Sequence, residues 1–160
     1  MSTKHYYCNL QIDQSYVQSI EPDLLEQALH LTLRTFNNTH ATTINLTITD
    51  IETIQRLNYQ YRGIDAPTDV LSFPNLPDPE FPNVDQDHLG DIIISYPVAE
   101  SQATAGGHTP MAELILLAIH GTLHLLGFDH DTPVAKAHMW VAQQKILAEL
   151  GLEHVQPTEK

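Results

Sequence analysis

Lysine and arginine are scarce in this chain. Seven in 160 residues stand against twenty Asp and Glu, a formal net charge of −13. Affinity for nucleic acid draws heavily on neutralised phosphates, so this balance excludes a broad basic binding face. A nucleic-acid substrate would require the few cations to gather at one place, or a partner to supply the docking surface. Otherwise an acidic exterior serves solubility. There is a single cysteine, Cys8, so no internal disulfide forms, and a lone early Cys reads as a strand residue rather than a nucleophile. The longest apolar stretch, Leu114 to Phe128, is too short to span a bilayer and carries two histidines, which excludes a membrane anchor there. The first eight residues lack the apolar run of a signal peptide, so a cytoplasmic protein is expected.

What is present is a globular composition, 42% apolar, in a length that suits one domain over 1–160, with about 152–160 as a tail. Strands are expected at Tyr6–Ile12, Ile44–Thr49, Val70–Phe73 and Leu89–Ser95. Helices are expected to start at Pro22, Asp50, Pro97, Pro110 and Pro133, each proline suiting a first turn. Thr49-Asp50-Ile51-Glu52 reads as a capping box. Pro74 to His88, rich in proline and acidic residues, reads as an exposed loop. The helix after Thr109-Pro110 is apolar nearly all round and belongs in the core, around Leu114, Leu117 and Leu125. Strands and helices interleave without a regular βαβ series. The expected class is α+β: a small mixed β-sheet packed with helices around one central buried helix.

That central helix carries the most informative segment, His120-Gly121-Thr122-Leu123-His124-Leu125-Leu126-Gly127-Phe128-Asp129-His130. On a helix His120 and His124 lie about 40° apart and one turn along, so both rings leave one face. Gly127 suits a left-handed helix stop, after which the chain can fold back and deliver His130. Ten histidines in the chain make some close spacing unsurprising; the glycine stop and the apolar helix carry the weight. Three imidazoles suit one Zn²⁺ with a fourth position left for water, whose pKa the ion lowers. The same spacing belongs to zinc proteases, which place a general-base glutamate directly after the first histidine. Here that position is Gly121, so a peptidase lacks its proton acceptor.

Other polar residues read more plainly. Glu113, about 10 Å along the helix from His120, cannot share its ion and reads as a first-turn carboxylate facing the helix dipole rather than a catalytic group. Asp129 either orients a ligand imidazole or caps the turn. His138 is packed or exposed on the last helix, and His5, His30, His40, His88, His108 and His154 have no ligand spacing. Arg62, closing a helix before a turn, is either an ordinary surface residue or a phosphate contact.

Three blocks in order, Tyr61-Arg62-Gly63-Ile64-Asp65-Ala66-Pro67-Thr68-Asp69-Val70-Leu71-Ser72-Phe73-Pro74, then Leu89-Gly90-Asp91-Ile92, then the histidine segment, resemble the YbeY family of bacterial endoribonucleases. Met139 fits as well, and the resemblance runs over about 45–150. It implies a zinc-binding α+β fold and cleavage of single-stranded RNA. It also implies maturation of ribosomal RNA, notably the 3′ end of the small-subunit RNA, and ribosome quality control. The implied partners are that RNA and the small ribosomal subunit or its assembly factors, with no membrane and no DNA. By position, His120, His124 and His130 match the metal ligands, and Arg62 matches the functional arginine, so that Arg62 and His120 count as catalytic. The segment Asp131-Thr132-Pro133-Val134-Ala135-Lys136 is less acidic than the family's usual run. A non-enzymatic assembly factor with a structural zinc is the alternative; structural sites close with four protein ligands, and the only thiol, Cys8, is far off in sequence, which favours an open site.

Overall fold

A computed structural model describes residues 5–75, 80 and 87–157. Strand β1 (Tyr7–Ile12) leads through a 3-10 turn into helix α1 (Pro22–Phe36) and then β2 (Thr43–Thr49). Helix α2 (Ile51–Arg62), strands β3 (Val70–Pro74) and β4 (His88–Ser95), and helices α3 (Tyr96–Gly106), α4 (Pro110–Leu125) and α5 (Pro133–Glu149) complete the order. The four strands form one sheet in the order β1-β2-β4-β3. β1, β2 and β4 run parallel, while β3 lies antiparallel along β4. The sheet is therefore mixed, as the interleaved pattern implies.

Local sequence explains each element. In α1 the buried Leu25, Ala28, Leu29, Thr32 and Leu33 recur at helical spacing, and in β2 the buried Ile44, Leu46 and Ile48 alternate with half-buried neighbours. Asp50, not Thr49, caps α2: its side chain accepts a hydrogen bond from the Thr53 amide at 2.7 Å. The capping-box reading is thus displaced by one residue: a box on Thr49 would use the Glu52 amide, whereas the Asp50 carboxylate starts the helix one residue later and takes the Thr53 amide. Pro74 belongs to β3 rather than ending it, tolerated because β3 is an edge strand. Of the expected Pro74–His88 loop, residues 76–79 and 81–86 lie outside the described residues. Beyond α5, Leu152 is half-buried against the core and Val155 is fully buried.

The centre of the molecule is α4. It packs against α1, α3, α5, β3 and β4, and twelve of its sixteen residues are buried. After its first turn the exceptions are His120 and His124 alone. Gly121 between them lets the helix approach the sheet: a Cβ there would lie 2.8 Å from Cγ2 of Ile92 and 3.2 Å from Oγ of Ser72. Ser72 Oγ donates to the Gly121 carbonyl at 3.2 Å.

Gly121→Ala should therefore overpack the helix–sheet seam, costing about 1–3 kcal/mol. Calorimetry should read this as a Tm lower by roughly 2–12 °C. An unchanged Tm would mean that the seam is looser than these distances state.

Candidate metal centre

The end of α4 shapes the centre. The Phe128 amide donates to the Leu123 carbonyl and the Gly127 amide to the His124 carbonyl, each at 3.0 Å, with Gly127 at φ +100°. This is the six-residue helix stop that glycine favours, and Phe128 beyond it packs edge-on to Phe36 of α1 at 5.5 Å. The chain then reverses, and His130 comes back over the helix. The ring centroids of His120 and His124 lie 4.6 Å apart, and that of His130 lies 5.5 Å from the first and 5.1 Å from the second.

One donor nitrogen from each of His120, His124 and His130 lies within 4.8 Å of the other two. The Nε2 atoms of His120 and His124 are 3.1 Å apart, close to the roughly 3.3 Å that tetrahedral zinc bonds of about 2.0–2.1 Å require. Burial, then His120 and His130, push the pKa of His124 down to about 4, against a weaker upward pull from a backbone hydrogen bond at Phe128. His120 Nδ1 is hydrogen-bonded to Oε1 of Gln143. An amide oxygen only accepts, so the proton sits on Nδ1 and Nε2 is free to ligate. The cluster is a donor set able to hold one metal ion.

The same cleft, about 970 Å³, is lined by Arg62, Ser72, Phe73, Glu113, Lys136 and Trp140 as well as the three histidines. Arg62 is exposed at the last turn of α2, before the left-handed Gly63. All four expected site residues, Arg62, His120, His124 and His130, are thus brought to one cavity. Trp140 stands edge-on to His120 and His130, at 5.9 and 6.0 Å between centroids, with Lys136 Nζ 5.4 Å from its ring.

Glu113 is the first-turn carboxylate the sequence indicates, and the structure adds that it is buried and partnered: it is 1% exposed, 2.6 Å from Nε2 of His108, whose side chain is nearly as buried, and 2.9 Å from Nε2 of Gln102. Gln102 continues to Asp69 at 3.3 Å, tying α3 and α4 to the start of β3. His108 is accordingly not ordinary. Asp129 caps the turn, accepting from the Asp131 amide at 3.2 Å, and His138 is exposed. Cys8 is half-buried in β1 with its thiol pushed up to about 12 by burial, then by Glu26, which suits a strand residue and not a nucleophile. Gln143 was legible only as an anomaly: a polar residue on the buried stripe Met139, Ala142, Gln143, Ile146, Leu147. Its Nε2 is buried without a partner.

The family model described as Endoribonuclease YbeY matches residues 8–151. The endoribonuclease YbeY of Roseiflexus castenholzii is 42% identical over 147 residues, 90% of this chain and 92% of that protein. The one from Moorella thermoacetica is 50% identical over 115 residues, 68% of this chain and 73% of that protein. The solution structure of TM1509 from Thermotoga maritima is similar at a TM-score of 0.57 and 23% identity, covering 96% of this chain and 99% of that one. That likeness concerns the fold.

Two outcomes follow from the geometry. Gln143→Leu should keep the fold but weaken metal binding about 10- to 100-fold in a competition titration with a chelator, because His120 loses the partner that fixes its tautomer. Undiminished affinity would show that Gln143 does not orient the ring. In metal-free protein, His124 is neutral both folded and unfolded above about pH 6.5. Between there and its folded value of about 4, only the unfolded chain takes up the proton, so stability falls as pH falls and levels off below. Urea unfolding at pH 7.5 and 4.5 should show a smaller loss for His124→Gln than for wild type; equal losses would contradict the assignment.

Proposed function

The chain belongs to the YbeY endoribonuclease family, and we propose that it is a metal-dependent endoribonuclease that cuts single-stranded RNA. We assign its work to ribosomal RNA processing, notably the 3′ end of the small-subunit RNA, and to ribosome quality control. The observation that carries the reading is the cleft in which three imidazoles and Arg62 converge. In this reading His120, His124 and His130 hold one Zn²⁺, the site being three nitrogens with a position open to substrate or water. When bound, zinc supplies Lewis acidity at a phosphoryl oxygen and makes water a usable nucleophile near neutral pH.

The chain's own residues do the rest. Gln143 keeps the His120 proton on Nδ1. Arg62 grips the phosphate beside the bond to be cut, its planar fork matched to two oxygens. Lys136 adds a second cation to the same cleft. In a chain of net charge −13, this is how the few basic residues create a local attraction for RNA. Ribosomal RNA and the small ribosomal subunit or its assembly factors are the partners in this proposal, with the whole chain acting as one unit in the cytoplasm. Among the described residues no helix is long and apolar enough to cross a membrane.

A non-enzymatic assembly factor with a closed structural zinc is less well supported. Among the described residues the cluster offers three donors, not four, and Cys8 lies on β1. The peptidase reading is weaker still, since Gly121 packs too closely on Ile92 to be replaced by a glutamate.

Zinc-loaded wild type should cut a defined single-stranded RNA and leave casein intact. His124→Ala should lose both metal and cleavage. Arg62→Ala should keep its zinc and its Tm while losing cleavage by on the order of 10²–10³, and Arg62→Lys should recover part of it. Wild-type rates in Arg62→Ala, with His124→Ala inactive, would move the phosphate contact elsewhere.

A further inference from the structure

Tyr61 and Tyr59 are two residues apart on α2, both exposed, 62% and 61% accessible, and point to different sides of the helix. Scattered surface aromatics are ordinary and need no explanation. These two differ in what they face. Tyr61 lines the histidine cleft and Tyr59 does not. Behind Tyr61 stands Phe73 of β3, with ring centroids 5.1 Å apart and planes inclined at 59°. This tilted contact braces the tyrosine without covering both of its faces. Ile64, Pro67 and Pro74 extend the same wall as an apolar surface, and Arg62 follows Tyr61 directly. A rigid, exposed ring beside a cation, opening onto a metal-binding cluster, is the combination that holds a nucleobase by its face and the adjoining phosphate by its charge.

We propose that Tyr61, braced by Phe73, is a base-stacking subsite that takes the face of one unpaired nucleobase next to the phosphate held by Arg62. The proposal rests on the RNA-cleaving reading above and names a group that selects single strands. In a duplex, base faces are covered by their stacked neighbours, and only an unpaired nucleotide can turn one towards a protein ring. Stacking is indifferent to base identity, because every base offers a π-face. The subsite therefore selects strandedness rather than sequence. The Tyr61 hydroxyl is not needed for it.

The test measures kcat/KM of the zinc-loaded protein on a fluorescent single-stranded RNA of about a dozen nucleotides, with zinc content and Tm recorded for each variant. Tyr61→Leu should cut about 5- to 150-fold less efficiently, the range that one base-on-aromatic stack provides, mainly through KM. Tyr61→Phe and Tyr59→Leu should stay within about twofold of wild type. A series of RNAs, each with one abasic nucleotide, should reveal a single position near the cut that costs wild type the same factor and costs Tyr61→Leu nothing further. That non-additivity is the signature of one stack removed from either side. Equal cleavage by Tyr61→Leu, or abasic losses that multiply with the Tyr61→Leu loss at every position, would overturn the subsite while the nuclease reading stands. Failure of zinc-loaded wild type to cut any RNA would overturn both.

Discussion

A helix that is apolar nearly all round has to be enclosed, and enclosing α4 is the constraint on which the rest of this structure depends. Sheet, α1, α3 and α5 each cover part of it. Burying a side chain such as Leu114, Ile119 or Leu123, all fully inaccessible, is worth roughly 1.5–3 kcal/mol apiece. The helix is left open past its first turn only at His120 and His124. A ligand mounted on such an element has little freedom to move, because its backbone is held on every side by close packing. The precision of the centre is thus a consequence of where the core lies.

Enclosure also creates polar obligations. Glu113 points into the protein from the first turn of α4, and the fold answers with His108 and Gln102. Gln143 sits on the core stripe of α5, and its carbonyl meets His120. The Glu113 carboxylate and the Gln143 carbonyl are thus engaged at the cleft or at its margin, where leaving either unpaired would cost about 1–3 kcal/mol. The partnerless Nε2 of Gln143 and Oδ1 of Asn58 both belong to cleft-lining residues.

Most of the fold was legible from short-range signals. Proline at four of the five helix starts, Ser, Thr or Asp caps and glycine stops gave the ends of α2 to α5 within a residue or two, and period-two burial gave β2. The histidine centre was legible because two ligands share a helix face and the third follows a local turn. What could not be read is what depends on tertiary approach. Gln143 lies 23 residues from His120, and its place on an apolar stripe marks it as unusual without naming its partner. Glu113 and His108 are five apart, yet only the packing of α3 on α4 removes both from water. The Thr49 capping box failed for a local reason, a competing carboxylate one residue on.

On the reading proposed above, the three histidines form an open centre, with one position left for reaction rather than closed by the chain. X-ray absorption on the zinc-loaded protein tests it most directly. Three imidazole nitrogens at about 2.0–2.1 Å and one further oxygen that exchanges with added anions are expected. Four protein donors, with no exchangeable ligand, would contradict it and make the metal structural.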